Sequence, residues 1–416
     1  MSNDAKTEKR FLNAHMLFHV GGAGNAERVD VSDLFAERLA AKGLEVDYVL
    51  FDRDAGAYWQ ERQWRGAKAF TVGNSPRSGI LGSIDNKCRQ LLADIRTVWL
   101  TATGNYQLVQ VRDRFFVAPL VLIVARLRGI KSCYWLSYPY PESRMIDARE
   151  GRARFAWLGW LYGRIEALIL YRLVLPFADL GFVQSEQMRS DIAAEGVDPT
   201  KLIPVPMGVH ERWLEQPAAQ VVPNTIVYLG TLIRVRRLET LVEALAIVRQ
   251  SIADARLILI GDGEDPEDRA AIEAAASRLN LTDAVELTGM LPMEEALKRT
   301  ATGAVCLSPF YPTPILLSTS PTKISEYFAL ARPVVANEHP EQSTILSASG
   351  GGICVRWSAE DFASAIVELL QDPARADAMG AAGRTWVAQN RTYDHIADKV
   401  APHYLQVLDP EGAPHS

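Results

Sequence analysis

The chain has 416 residues, with 44 Lys and Arg against 50 Asp and Glu, so its formal net charge is −6. Hydrophobic residues make up 48% and charged residues 23%, a globular balance that excludes a wholly disordered or collagen-like chain, and the negative charge argues against general electrostatic capture of nucleic acid. Cys88, Cys133, Cys306 and Cys354 form no Cys-x-x-Cys pair, so neither a zinc knuckle nor a disulfide framework is expected and a reducing compartment fits.

The N-terminal stretch lacks the pattern of a signal peptide. No run of about 18 residues is both apolar and free of charge. A cytoplasmic protein is therefore expected, soluble or peripheral at the inner face of a membrane.

Strand and helix signals alternate from the start. An apolar strand over 16–20 runs into Gly21-Gly22-Ala23-Gly24, and a helix with Val29, Leu34, Phe35 and Leu39 on its apolar side follows. Strands are predicted at 46–51 and 108–111, a helix at 117–127 and a strand at 131–136. A long helix over 152–175 stops at Pro176, and a strand (180–183), a helix (186–195) and a strand (202–205) close the first block. Residues 211–223 lack periodicity, carry two prolines and read as a linker. The alternation then restarts, with strands at 225–229, 256–260, 285–288, 304–307, 333–336 and 353–355 separated by helices. Such alternation over two blocks predicts an α/β protein with two doubly wound parallel sheets, which bind ligands beyond the carboxyl ends of their strands.

Two places in this pattern can hold an anion. Gly21, Gly22 and Gly24 lie between a strand and a helix, where glycine lets backbone approach a ligand, although a plain tight turn explains them equally well. In Ser318 to Ala336, Ser320-Pro321 reads as an N-cap followed by proline at the first helical position. The N–H groups of Thr322 and Lys323 then face a diphosphate, and the Glu326 carboxylate one turn on can accept both hydroxyls of a ribose.

The stretch PTKISEYFALARPVVA resembles the nucleotide-sugar signature of the family 4 retaining glycosyltransferases. Gly21 to Arg28, Pro206 to Val209, Tyr228 to Thr231, Leu259 to Gly263 and Leu287 to Pro292 match the same family in order and spacing. The resemblance implies the GT-B fold, two Rossmann-like domains facing a central cleft. It places an acceptor-binding domain at 1–210, a nucleotide-sugar domain at 222–390, and a final segment at 391–416 whose helix packs back on the first domain. It implies transfer of a sugar from a UDP- or GDP-sugar to a glycan or a polyprenyl-diphosphate-linked acceptor in polysaccharide or glycoconjugate synthesis, with no cofactor and no bound metal. The alternatives on this fold are a nucleotide-sugar epimerase or hydrolase and a non-catalytic nucleotide-sugar-binding protein.

Carried over residue by residue, the resemblance gives the ribose to Glu326. It puts Gly21, Gly22, Gly24, Gly261, Gly263, Met290, Leu291, Ser320, Thr322 and Lys323 around the donor. The family's first helix glutamate falls on Ser318, a departure shared by a subset with the Ser-Pro-Thr-Lys form. Its phosphate-neutralising Arg and Lys fall on Thr231 and Arg236. Arg236 can serve as the lysine does, and Arg234 can stand in for the missing arginine. The histidine many members carry near the transferred sugar is absent. Tyr138, Tyr140 and Glu142 stand at that strand end, either shaping an acceptor site or simply packing a Pro-rich loop.

Arg154, Trp157, Trp160 and Arg164 are spaced for one helical stretch and suit an anionic membrane surface. Leu158, Leu161 and Ile165 of the same stretch are expected in the core. His15 and His19 flank the first strand and read as structural. His339 and Glu341 read as residues of an ordinary loop.

Overall fold

Runs of Val, Leu, Ile and Phe between turns become strands buried on both faces, as parallel sheets require. The computed structural model describes residues 12–22, 28–52, 56–151, 155–216, 219–263 and 265–409. The chain divides into one unit of Met1–Pro206 with Tyr393–Ser416 and a second of Met207–Thr392. The division falls after Pro206, ahead of the Pro-containing segment, in which Glu211–Trp213 forms a short turn that buries Trp213.

The described residues of the first unit form eight strands: β1 (Ala14–Val20), β2 (Leu44–Asp52), β3 (Gln60–Trp64), β4 (Ala67–Gly73), β5 (Leu108–Arg112), β6 (Lys131–Leu136), β7 (Leu180–Val183) and β8 (Leu202–Pro204). They lie in the order β3-β4-β2-β1-β5-β6-β7-β8, all parallel except β3, which pairs antiparallel with β4. The β3–β4 hairpin is absent from the sequence-based elements. It turns at Arg65 and Gly66, both at positive φ, which is the backbone a two-residue hairpin turn needs.

Two cores sandwich this sheet. On one face the helices Gly79–Thr103 and Ala118–Arg128 and the segment Leu170–Val174 pack on Leu17, Val49, Val109, Tyr134 and Val183. On the other, the helical segment Asp30–Leu39 and the final helix Tyr393–Leu408 pack on Met16, Phe18, Tyr48, Trp135 and Phe182. The final helix buries Ile396, Val400 and Tyr404, and Arg38 pairs with Asp394 at 3.3 Å.

In the second unit β9 (Thr225–Leu229), β10 (Arg256–Ile260), β11 (Val285–Leu287), β12 (Val305–Ser308), β13 (Val334–Asn337) and β14 (Gly352–Val355) form an all-parallel sheet in the order β11-β10-β9-β12-β13-β14. This is the doubly wound order whose switch point lies between the first and fourth strands. Here β9 and β12 pair only through Ile226–Val305 and Val227–Cys306 and then part. Tyr327 fills the opening: its buried hydroxyl accepts from the Leu229 N–H at 2.9 Å and donates to the Leu307 carbonyl at 3.1 Å.

Candidate active site

Beyond the carboxyl ends of β9 and β12 three loops converge. After β9 the chain turns at Gly230, with φ +143°, and its N–H bonds the Ile260 carbonyl at 2.8 Å. Gly261 then crosses Gly230 so closely that a Cβ on it would lie 2.2 Å from the Gly230 carbonyl oxygen. After β12, Phe310 is clamped by Asn337, which accepts from the Phe310 N–H at 2.7 Å and donates to its carbonyl at 2.8 Å. The helix Thr322–Ala329 starts at the same place. Its N-cap is Pro321, with no side-chain cap, so the first N–H groups are left for a ligand.

Two cations occupy this opening. Lys323 is only 7% exposed. Its ammonium stands 5.5 Å from the centre of the Tyr228 ring and 5.6 Å from that of Phe310. The Arg236 guanidinium stands 5.6 Å from the same Phe310 ring, and its Nε and Nη1 are buried with no hydrogen-bond acceptor among the described residues. Aromatic faces soften these charges but do not neutralise them. Burial and the charge of Arg236 push the Lys323 amine well below its usual range, with Glu326 opposing. Burial raises the Glu326 carboxyl, against the pull of Lys323. A buried ammonium, a half-buried guanidinium, a helix N-terminus and one carboxylate a turn away form a site suited to an anion.

The family described as "Glycosyl transferase 4-like domain" matches residues 31–208, and "Glycosyl transferases group 1" matches residues 223–372. The chain is 30% identical over 314 residues to the GDP-mannose-dependent alpha-(1-6)-phosphatidylinositol monomannoside mannosyltransferase of Mycolicibacterium smegmatis, covering 71% of this chain and 73% of the relative. The chain belongs to the family 4 glycosyltransferases. The Mycobacterium tuberculosis protein of the same description is 28% identical over 82% of this chain and 86% of its own. Among solved structures, a sucrose-phosphate synthase from Thermosynechococcus elongatus superposes with a TM-score of 0.69 at 19% identity over 95% of this chain and all of that one. HepE of Anabaena, solved with UDP and glucose, gives 0.66 at 15% over 94% and 99%. Both likenesses show the GT-B fold.

In this glycosyltransferase the three neighbouring arginines part ways. Arg236 turns inward. Arg234 pairs with Glu267, and its backbone N–H donates to the Asp268 carboxylate at 3.0 Å. Arg237, at φ +51°, stacks its guanidinium 5.5 Å from Tyr311. Gly261 and Gly263 serve backbone packing: a Cβ on Gly263 would meet the Asp268 Cβ at 2.5 Å, inside the capping box that starts the helix Pro266–Arg278. Met290 is exposed, Leu291 is half-buried against the core, and Ser318 is buried at the end of the short helix Pro314–Leu317.

Ser320 does not cap the helix as its sequence position suggests. Its hydroxyl accepts from the Met207 N–H at 3.1 Å and donates to Glu341 at 3.0 Å, because Pro321 sits in the N-cap position and leaves Ser320 one residue too early. Glu341 in turn pairs with Arg391 at 2.9 Å. Burial raises its carboxyl, while Arg391 and Ser320 lower it.

His339 and Glu341 are likewise not ordinary loop residues. The buried His339 caps the helix Pro340–Ser349: its Nδ1 accepts from the N–H of Glu341 at 3.2 Å, so Nε2 carries the hydrogen and donates to the Leu316 carbonyl at 3.0 Å. Burial pushes its pKa down to about 4 from 6.5. The fold therefore favours the neutral ring. Its contribution is complete above pH 6.5 and is lost as pH falls toward 4, about 3 kcal/mol in all. Urea titrations at pH 7 and at acidic pH should show this loss. His339→Asn, whose side-chain carbonyl can cap without taking up a proton, should lose less.

In the first unit, the Gly21 N–H bonds the Arg112 carbonyl at 2.9 Å, and a Cβ there would lie 2.7 Å from that oxygen. Gly22, at φ +94°, faces open space, and Gly24 lies outside the described residues. Beside them Arg112 is fully buried, paired with Asp30 at 2.7 Å and Asp113 at 3.3 Å, and Asp113 accepts the Ser137 N–H at 2.9 Å. Tyr138 and Tyr140 meet edge to face, with ring centres 5.1 Å apart. Glu142 lies in the first turn of the helix Tyr140–Arg149 and turns inward, accepting from the Tyr171 hydroxyl at 2.7 Å.

His15 pairs with Asp47 at 3.2 Å, and the buried His19 meets the Thr97 hydroxyl at 3.0 Å. Arg154 lies outside the described residues. In the helix Ala156–Ile169, Trp157 and Trp160 are exposed, and the Arg164 guanidinium stands 5.9 Å from the Trp160 ring. Leu158, Leu161 and Ile165 are exposed too, contrary to their expected place in the core. The buried stripe is Gly163, Glu166 and Ala167, because this helix packs tightly on its neighbour: a Cβ on Gly163 would lie 2.8 Å from Met145 Cγ.

The sequence gives no place at the site to Phe310, Tyr228, Tyr327 or Glu341. They are aromatic or acidic residues in separate elements, and only their convergence around Lys323 and Ser320 gives them meaning.

Proposed function

We propose that the protein is a retaining hexosyltransferase whose donor, a nucleoside diphosphate sugar, binds in the second unit. The observation that carries this reading is the buried Lys323 beside the half-buried Arg236, set at an uncapped helix start, with no acceptor among the described residues for the two buried Arg236 donors. A diphosphate binds the two cations, Thr322 and Lys323 offer it N–H groups, and Glu326 accepts the ribose hydroxyls. In this reading Ser318 and Ser320 shape the sugar end of the site, and Arg234 reaches the diphosphate only by leaving Glu267. GDP-mannose is the first donor to test, since relatives with 28–30% identity are described as GDP-mannose-dependent.

The acceptor hydroxyl attacks the anomeric carbon on the face the leaving group departs from. The bond from that carbon to the phosphate oxygen breaks, the new glycosidic bond forms, and the hydroxyl proton passes to the released diphosphate. The two cations and the helix start stabilise the charge that develops on that diphosphate. The reading requires no bound divalent cation. The acceptor is a glycan on a lipid carrier, received beside Tyr138 and Tyr140 in the first unit, with the helix of Trp157, Trp160 and Arg164 resting on the membrane.

Calorimetric titration of GDP and UDP, each with its sugar conjugates, tests the donor half. Glu326→Ala should weaken the cognate nucleotide by roughly 1.5–3 kcal/mol, about 10- to 150-fold. Unchanged binding in that variant would refute the ribose assignment. Release of nucleotide with no glycosylated product, under all acceptors tried, would favour a hydrolase.

A further inference from the structure

The helix Gly79–Thr103 is amphipathic the wrong way round. It turns Asp85, Arg89, Thr97 and Thr101 inward and leaves Ile80, Leu81, Ile84, Leu91, Ile95 and Trp99 in solvent. Its neighbour Ala118–Arg128 exposes Leu120, Ile123 and Leu127, the last at 82%. The two are joined by Arg128, which donates to the Ala102 carbonyl at 2.7 Å. On the far side Phe116 meets Tyr162 of the helix Ala156–Ile169, ring centres 5.2 Å apart. All three helices lie on one side of the first unit's sheet, opposite the segment Asp30–Leu39 and the final helix. Of the 25 large exposed hydrophobic residues among the described ones, twenty fall between Ile80 and Phe177, so the apolar surface is concentrated here.

The charges on this face are of one sign. Among the described residues of 79–103, 118–128 and 156–177 the exposed charged residues are Lys87, Arg96, Arg126, Arg128, Arg164 and Arg172. The acids of the same elements, Asp85, Asp94 and Glu166, are buried or half-buried and paired with Arg89, Arg114 and Arg144. An apolar face this wide seeks a partner. A second copy is disfavoured, because a two-fold interface would set six cations against the same six. No helix among the described residues is long and apolar enough to cross a membrane.

We infer that the outer face of these three helices, and not the Trp157–Arg164 stretch alone, is a docking surface for an anionic lipid bilayer. Apolar side chains enter the headgroup–acyl boundary, and the six cations take lipid phosphates around them. The inference deepens the lipid-linked acceptor reading but does not depend on which donor is used. It also explains why the helix Gly79–Thr103 is built inside out.

Co-sedimentation with vesicles of phosphatidylcholine, with and without phosphatidylglycerol, tests it on the full chain. The protein should bind the anionic vesicles and be released at about 0.5 M salt, where screening shortens to a few ångströms. Lys87→Glu/Arg126→Glu should weaken binding by about 25-fold or more. Leu120→Gln/Ile123→Gln, on a helix remote from the donor site, should release it as well. Both variants should bind nucleotide as the wild type does, which separates a failure of docking from a failure of the donor assignment. Equal binding to neutral vesicles, or wild-type binding by both variants, overturns the inference. So does a dimer in sedimentation equilibrium that Leu120→Gln/Ile123→Gln dissolves.

Discussion

Lys323→Met is expected to make the ligand-free enzyme more stable and the nucleotide site nearly inert. The ammonium is almost buried, packed between the Tyr228 and Phe310 rings and repelled by Arg236. A thioether of similar length fills the same space with no charge to desolvate. We expect a gain of ~1 kcal/mol or more in urea stability. Nucleoside diphosphate affinity should fall by roughly 1.5–3 kcal/mol, since a charge-assisted bond to the diphosphate is lost.

Protonation gives a second readout of the same residue. The folded-state pKa of Lys323 is depressed, so the ligand-free protein loses stability as pH falls from 10.5 toward that lower value. A bound diphosphate raises it again. At a pH between the two values binding takes up protons, and its calorimetric enthalpy then differs between buffers of unlike ionisation heat. In Lys323→Met the difference should vanish. A variant that is less stable than the wild type and binds nucleotide equally well would remove Lys323 from the site.

Arg112→Met is expected to be the most damaging substitution in the first unit. Arg112 is fully buried at the end of β5, between Asp30 and Asp113. Burial alone would raise the Asp30 carboxyl, but Arg112 and Arg28 outweigh it and hold the pKa below its usual value. Removing the arginine leaves the buried Asp30 carboxylate with the weaker Arg28 contact at 3.3 Å, a loss of up to about 3–5 kcal/mol. Asp113 suffers less, because Ser137 still donates to it. Arg112→Met/Asp30→Asn, which removes both charges, should recover much of the loss. If the double variant is no more stable than Arg112→Met in chemical denaturation, the pair is not what holds this edge together.

Elements whose burial follows their own period were legible in the order of residues alone. The strands of the second unit are continuous apolar runs, and the structure ends them within a residue or so of their expected limits. The same holds for Glu326 and Lys323, whose place at a helix start is written in Ser320-Pro321 and the run that follows, although the start falls one residue later than expected.

The tertiary structure decided what local pattern cannot carry. The helix Gly79–Thr103 was invisible because sequence reading assumes a polar outer face, and here the outer face is apolar. Leu158, Leu161 and Ile165 were misplaced for the same reason. Whether Arg234 or Arg236 faces the site depends on Glu267, on another helix, which draws Arg234 away. Ser320, Glu341 and Arg391 become partners only when the loop before the helix Thr322–Ala329 meets the start of the helix Pro340–Ser349 and the end of the unit. Charge pairing and aromatic enclosure depend on distance in space, and the spacing of residues along a chain does not report it.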